Sequence, residues 1–160
     1  MEAFWYKKAE LSDIPVLVEI SMKELLEDFH CDIAMQKKFE EHYKEAIPRL
    51  MKEKTLISYI AYQNEIFVGM AKIYIWREDI AKGEATLSDV YILPEFRGNG
   101  IFQHLFDKVV EEARKRNCIV IKTYEKNNRE RLHKLGFEDS YDYDEEGIYG
   151  LSDEMELFLV

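Results

Sequence analysis

The chain has 160 residues, 47% hydrophobic and 34% charged, a balance that suits one domain (residues 1–160) with its own core and excludes a disordered polymer. No apolar run reaches membrane-spanning length, and the N-terminus lacks the basic-then-apolar pattern of a secretion signal. A net charge of −10 argues against nucleic acid, which needs basic patches, and is compatible with a cationic partner such as an amine.

Phe4-Trp5-Tyr6-Lys7 reads as a first strand. Ser12 is a good helix cap with Pro15 tolerated in the first turn, and Leu17, Ile20, Leu25 and Phe29 mark the apolar positions of the helix that follows. His30-Cys31-Asp32 breaks it. A second helix carries Met35, Phe39, Tyr43 and Ile47 at four-residue spacing; Pro48 is expected to kink or restart it, and it fades by Lys54. A hairpin comes next, with arms Leu56–Tyr62 and Ile66–Trp76, and Gly69 in its second arm marks a bulge or a close backbone approach. Lys82-Gly83 turns the chain into a strand around Val90-Tyr91-Ile92, closed by Pro94. From Gly100, apolar residues at Ile101, Phe102, Leu105, Phe106, Val109, Val110 and Ala113 fit a long helix. Cys118–Tyr124 reads as a buried strand, Arg129–Leu135 as a short helix that Asn127 or Asn128 caps and Gly136 ends, and Phe137–Tyr143 and Met155–Val160 as final strands. Cys31 and Cys118 match no metal spacing and read as reduced thiols of a cytoplasmic protein, with no metal site expected.

The chemistry concentrates between the strand at Val90-Tyr91-Ile92 and the long helix that follows it, in Arg97-Gly98-Asn99-Gly100. A strand that turns through glycines into a helix leaves the first helical N–H groups unpaired at the positive end of the dipole. A phosphate fits there, because residues without a Cβ let it approach the backbone, and Arg97 adds a charge with forked donors. The spacing matches neither a nucleoside-triphosphate loop nor a dinucleotide fingerprint, since Gln103 stands where a third glycine would. Glycines that serve only the turn are the plain alternative.

The longer string Val-Tyr-Ile-Leu-Pro-Glu-Phe-Arg-Gly-Asn-Gly-Ile resembles the acyl-coenzyme A loop of the GCN5-related N-acetyltransferase superfamily, and Leu-Gly-Phe at 135–137 resembles its second signature. Glu95 stands where that loop often has Gln or Arg, and Phe102 where a small residue is common. The chain order β-α-α-β-β-β-α-β-α-β-β extends the likeness over nearly the whole length. It implies an α/β fold: a central mixed, mostly antiparallel sheet of six to seven strands with helices on both faces, like other acyl-CoA N-acyltransferases. It also implies acetyl-CoA as acyl donor and transfer of the acetyl group to an amine of a small molecule, polyamine-like included, or of a protein. A homodimer is compatible with it. The alternative is the same fold kept as a non-catalytic acyl-CoA sensor or partner-binding module.

The resemblance places pantetheine along Val90, Tyr91 and Ile92, and the diphosphate on N–H groups of Arg97, Gly98, Asn99, Gly100, Ile101 and Phe102. Asn127 and Asn128 are candidates to touch pantetheine or, equally, to cap the helix. Asp89 is the candidate to hold or deprotonate the amine, or is a solvated strand carboxylate. The tyrosine that the family uses as general acid is replaced by Leu132, which leaves His133 and Tyr124 as candidates, each with a plainer reading: surface for His133 and packing for Tyr124.

Overall fold

The computed structural model describes residues 3–124 and 129–159. Seven strands form one sheet in the order β1-β2-β3-β4-β5-β7-β6. They are β1 (Phe4–Lys8), β2 (Leu56–Gln63), β3 (Ile66–Ile75), β4 (Glu84–Ile92), β5 (Val120–Tyr124), β6 (Glu138–Tyr143) and β7 (Tyr149–Phe158). Only β4 and β5 run parallel; every other neighbouring pair is antiparallel. The expected mixed, mostly antiparallel sheet is therefore found. Among the described residues, no helix is long and apolar enough to cross a membrane.

Helices α1 (Ile14–Asp28) and α2 (Ile33–Lys52) cover one face, where Leu17, Ile20 and Ile47 pack against Ile60, Met70 and Tyr91. The other face is covered by α4 (Ile101–Lys115), whose Leu105, Val109 and Ala113 meet Ala71, Ile73 and Ile121. The apolar spacing read from the sequence is the buried face of α4. A one-turn helix α3 (Glu78–Ala81) and a short α5 (Arg129–Lys134) complete the set.

Several local expectations change. Ser12 caps nothing: a 3-10 turn over Leu11–Asp13 precedes α1, and Asp13 accepts from the Glu10 amide at 2.8 Å and from Lys7. The helix does not restart at Pro48: α2 runs on to Lys52, with Ala46 and Ile47 buried beside the proline. The packing of that face outweighs one lost ladder bond. The last strand begins at Tyr149 rather than Met155, because cross-strand pairing with β6 holds an acidic, glycine-containing stretch extended. Gly69 serves a close approach: a Cβ there would lie 2.8 Å from the Tyr91 carbonyl oxygen.

Two departures from regular pairing prepare the site. Lys72 faces Asp89 and Ile73 faces Leu87, so Ser88 is an extra residue bulged out of β4. The parallel ladder joins only Glu84–Thr86 to Val120–Lys122. One residue further, the Thr123 hydroxyl donates to the Leu87 carbonyl at 3.1 Å, and past this link the two strands part.

Candidate active site

A cleft of about 1000 Å³ runs beside β4 from the end of α1 to the start of α4, and where β4 and β5 part an inner pocket of about 110 Å³ opens beside Ser88 and Leu132. Tyr91, Val90 and Ile92 line the cleft. Leu93 donates its N–H to Val68 across the ladder at 2.8 Å. By alternation, Tyr91 also faces β3 with its backbone, and the peptide groups of Val90 and Ile92 point from the opposite edge into the cleft. The Ile92 carbonyl already accepts one bond there, from Arg97 Nε at 3.0 Å. That edge is free to pair with an extended amide-bearing ligand.

At the far end of β4 a 3-10 turn, Pro94–Phe96, leads into Gly98 and Gly100, both with positive φ (85° and 76°). L-residues adopt this conformation only with strain. A Cβ built at either glycine meets nothing within 4 Å, so the space over the loop is open. Gly100 is the cap of α4, and the first-turn amides of that helix face the same opening. Asn99 closes the turn by donating from Nδ2 to the Phe96 carbonyl at 2.9 Å; it does not line the cleft. The loop has room for a diphosphate against bare amides, and a side chain at either glycine would take that room.

Arg97 departs from expectation. Its fork does not stand free for an anion: Nη2 binds Glu27 on α1 at 2.7 Å, Nε holds the Ile92 carbonyl, and the guanidinium lies 5.6 Å from the Tyr91 ring centre. The Arg97 hydrogen bond, and then the nearby Tyr91 hydroxyl, hold the Glu27 carboxyl below the usual glutamate range. Burial, reinforced by the Glu27 carboxylate, pushes the Tyr91 phenol up to about 12. Glu27 is thus an anion at neutral pH and a poor proton acceptor. The cations lining this half come instead from α5, as Arg131 and Lys134. Arg131 sits 4.6 Å over the Phe102 ring, so the bulky Phe102 serves as a platform and as a wall shared by cleft and inner pocket.

The half of the cleft under α1 and α2 has a different character. Glu24, Glu27 and Asp28 from the last turns of α1 line it together with Phe29, Tyr43 and Tyr74. Lys72, only 3% exposed, donates to the Ser21 hydroxyl at 3.1 Å and lies 5.5 Å from the Tyr43 ring centre. Phe29 and Tyr43 were read from the sequence as apolar helix positions; Glu24, Glu27, Asp28, Lys72 and Tyr74 were not singled out. A lysine inside the apolar run of β3 was a readable signal; the α1 carboxylates gave none.

The remaining candidates are spread out. Asp89 lies on β4 opposite Lys72, its side chain outside the described residues. Asn127 and Asn128 also lie outside them. His133 faces neither the cleft nor the inner pocket: its Nε2 pairs with Asp139 at 2.9 Å, beside an Arg129–Asp139 ion pair. Tyr124 rims the inner pocket, with its hydroxyl on Glu154 at 3.0 Å; that bond, with some burial, raises its pKa. Leu132 is buried and faces the inner pocket, in the position where the resemblance asks for a proton donor. Among the described residues, no cluster of His, Cys, Asp and Glu could hold a metal ion.

A search of the curated proteins finds no match. Solved structures match over nearly the full length. A predicted acetyltransferase from Clostridium acetobutylicum with acetyl-CoA is 25% identical, with a TM-score of 0.73 over 89% of this chain and 95% of that one. PaiA N-acetyltransferase from Thermoplasma acidophilum in complex with coenzyme A is 17% identical, with a TM-score of 0.72 over 98% and 99%. A ribosomal-protein-alanine N-acetyltransferase from Brucella melitensis is 20% identical, with a TM-score of 0.70 over 97% and 99%. The family model described as Acetyltransferase (GNAT) family matches residues 20–137, a span that holds the α1 carboxylates, the bulged strand and the glycine loop. With that match over most of its length, the chain belongs to the GNAT acetyltransferase family.

Proposed function

We propose that the protein transfers an acetyl group from acetyl-CoA to a primary amine by direct attack, with both reactants held in the one cleft. The observation that carries this reading is the pairing of an open glycine loop with a free edge of β4. The amides from Gly98 to Phe102 hold the diphosphate, and Arg131 and Lys134 add positive charge beside it. The Val90 and Ile92 edge orients the pantetheine arm as an added strand would be oriented. When bound, the donor supplies a thioester carbonyl open to attack by a neutral amine. One peptide N–H of the Val90–Ile92 edge polarises that carbonyl as its oxygen gains charge.

The acceptor enters from the α1–α2 side, where Glu24 and Asp28 attract a cationic amine and Tyr43 and Tyr74 give it an aromatic wall. Asp89 takes its proton before attack. At the inner pocket Leu132 carries no donor, the Thr123 hydroxyl donates to Leu87, and the Tyr124 hydroxyl donates to Glu154. Solvent protonates the sulfur instead. Positioning of the two reactants supplies much of the rate.

The missing donor at Leu132 also favours a second reading, an acyl-CoA sensor without turnover. Calorimetry with coenzyme A, paired with a thiol-release assay over a panel of amines, separates the two. Saturable binding with thiol release from an amine supports the transferase. Tight binding with no release from any amine supports the sensor. Protection by ATP or NAD but not by coenzyme A overturns both.

A further inference from the structure

The β6–β7 hairpin carries a surface that the cleft does not use. Tyr141 and Tyr143 of β6 stand opposite Leu151 and Tyr149 of β7, so the four share one face. Each is more than half exposed, from 53% for Leu151 to 68% for Tyr143. Their rings form a row, with Tyr149 centred 5.2 Å from Tyr143 and 6.2 Å from Tyr141. An apolar face of this kind, held open on a rigid hairpin, marks an interaction site more often than a lone exposed ring does. β6 is the last strand of the sheet, and its outer edge has no strand partner among the described residues.

Charge identifies the occupant. Residues 135–160 hold nine of the 32 acidic residues and none of the 22 basic ones, so the other 134 residues are close to neutral. Nearly the whole charge excess of the chain belongs to this hairpin. Position adds to this. Among the described residues, β7 pairs with β5 from Glu154 onward, so its first part runs on past Tyr124, the last residue of β5. β5 is parallel to β4, so this is the end of the sheet at which β4 presents Val90–Ile92 to the cleft.

We propose that the overhanging hairpin docks an extended, lysine- and arginine-rich segment of a protein acceptor. Such a segment pairs its backbone with the free edge of β6, lays alternate cationic side chains over the tyrosine row and meets the carboxylates around it. A second copy of the chain is opposed by nine like charges, and nucleic acid by the same sign. A small polyamine would meet the carboxylates but leave the strand edge and the apolar face unused. Only the delivery of an amine to the cleft rests on the transferase reading; docking stands apart from it.

The test is fluorescence anisotropy of the full chain with a labelled, N-terminally blocked peptide of alternating arginine and threonine. It contains no amine to acetylate, so its result is independent of turnover. Saturable binding that weakens with salt is expected. The double variants Tyr143→Ser/Tyr149→Ser and Glu145→Gln/Glu146→Gln are each expected to weaken it about tenfold or more. Both leave Asp144 in place, which holds the turn by accepting from the Glu146 and Ile148 amides. Coenzyme A affinity and thiol release from a small amine stay unchanged in both. The proposal is overturned by absence of saturable binding to the parent chain, or by equal affinity in both variants. Displacement of the peptide by equimolar spermine also overturns it, as does a dimer in sedimentation that the tyrosine variant dissolves.

Discussion

Arg97 and Glu27 lie 70 positions apart, yet one ion pair ties the phosphate loop to the end of α1 and so joins the two halves of the cleft. Glu27→Gln keeps the shape and removes the charge; a charged hydrogen bond of this kind contributes about 1–3 kcal/mol, reduced here by exposure. Coenzyme A affinity is expected to fall about threefold to tenfold, with little change in melting temperature, by calorimetry and scanning fluorimetry. Because the Glu27 pKa is lowered in the fold, the tie is complete above the ordinary value of 4.5 and is lost as pH falls through the lower folded value. Coenzyme A affinity should therefore stay flat across neutral pH and decline only in acid. Gly98→Ala places a methyl in the open space over the loop at a φ of 85°. It costs about 1 kcal/mol of stability and should weaken coenzyme A binding about tenfold or more, a loss in excess of the folding penalty. Asp89→Asn should lower turnover by about a hundredfold, the scale of a lost general base, with coenzyme A affinity intact; an unchanged rate makes Asp89 structural. The loop glycines were legible because their spacing is local. The role of the Arg97 side chain was not, because it depends on a partner from a distant helix.

Helix α4 is fastened to the sheet by more than its apolar stripe. Glu112 is buried on it and accepts from the Tyr59 hydroxyl at 2.9 Å and from Lys8 Nζ at 3.1 Å. Burial raises the Glu112 pKa, but these two partners outweigh it and leave the carboxyl below its usual range. Glu112→Ala strands the Tyr59 hydroxyl and should cost about 1–3 kcal/mol in urea unfolding. The difference between parent and variant should shrink in acid, as the carboxyl of the parent protonates below 4.5. At this scale the long helices α1, α2 and α4 were readable from their period, while the one-turn α3 and the limits of β7 were not. Tyr149–Asp153 reads Tyr-Gly-Leu-Ser-Asp, too short and mixed to announce a strand, and its extended form follows from pairing with β6.

For the molecule as a whole, the order of elements was legible because each carries its own period and turn residues. The lateral order of strands was not, since β7 inserts between β5 and β6 through pairings that no local pattern encodes. Nor was the separation of β4 from β5, which needs the bulge at Ser88 and the Thr123 side chain in place of a ladder bond. That separation has a thermodynamic consequence. A sheet with an interrupted ladder is an unfinished one, and whatever docks along the gap finishes it and becomes part of the fold. Occupancy is then linked to the unfolding equilibrium: a ligand present at a hundred times its dissociation constant adds about 2.7 kcal/mol. Hydrogen–deuterium exchange at the Val90 and Ile92 amides should slow sharply on saturation with acetyl-CoA, while the amides of β2, already paired on both sides, keep their rates.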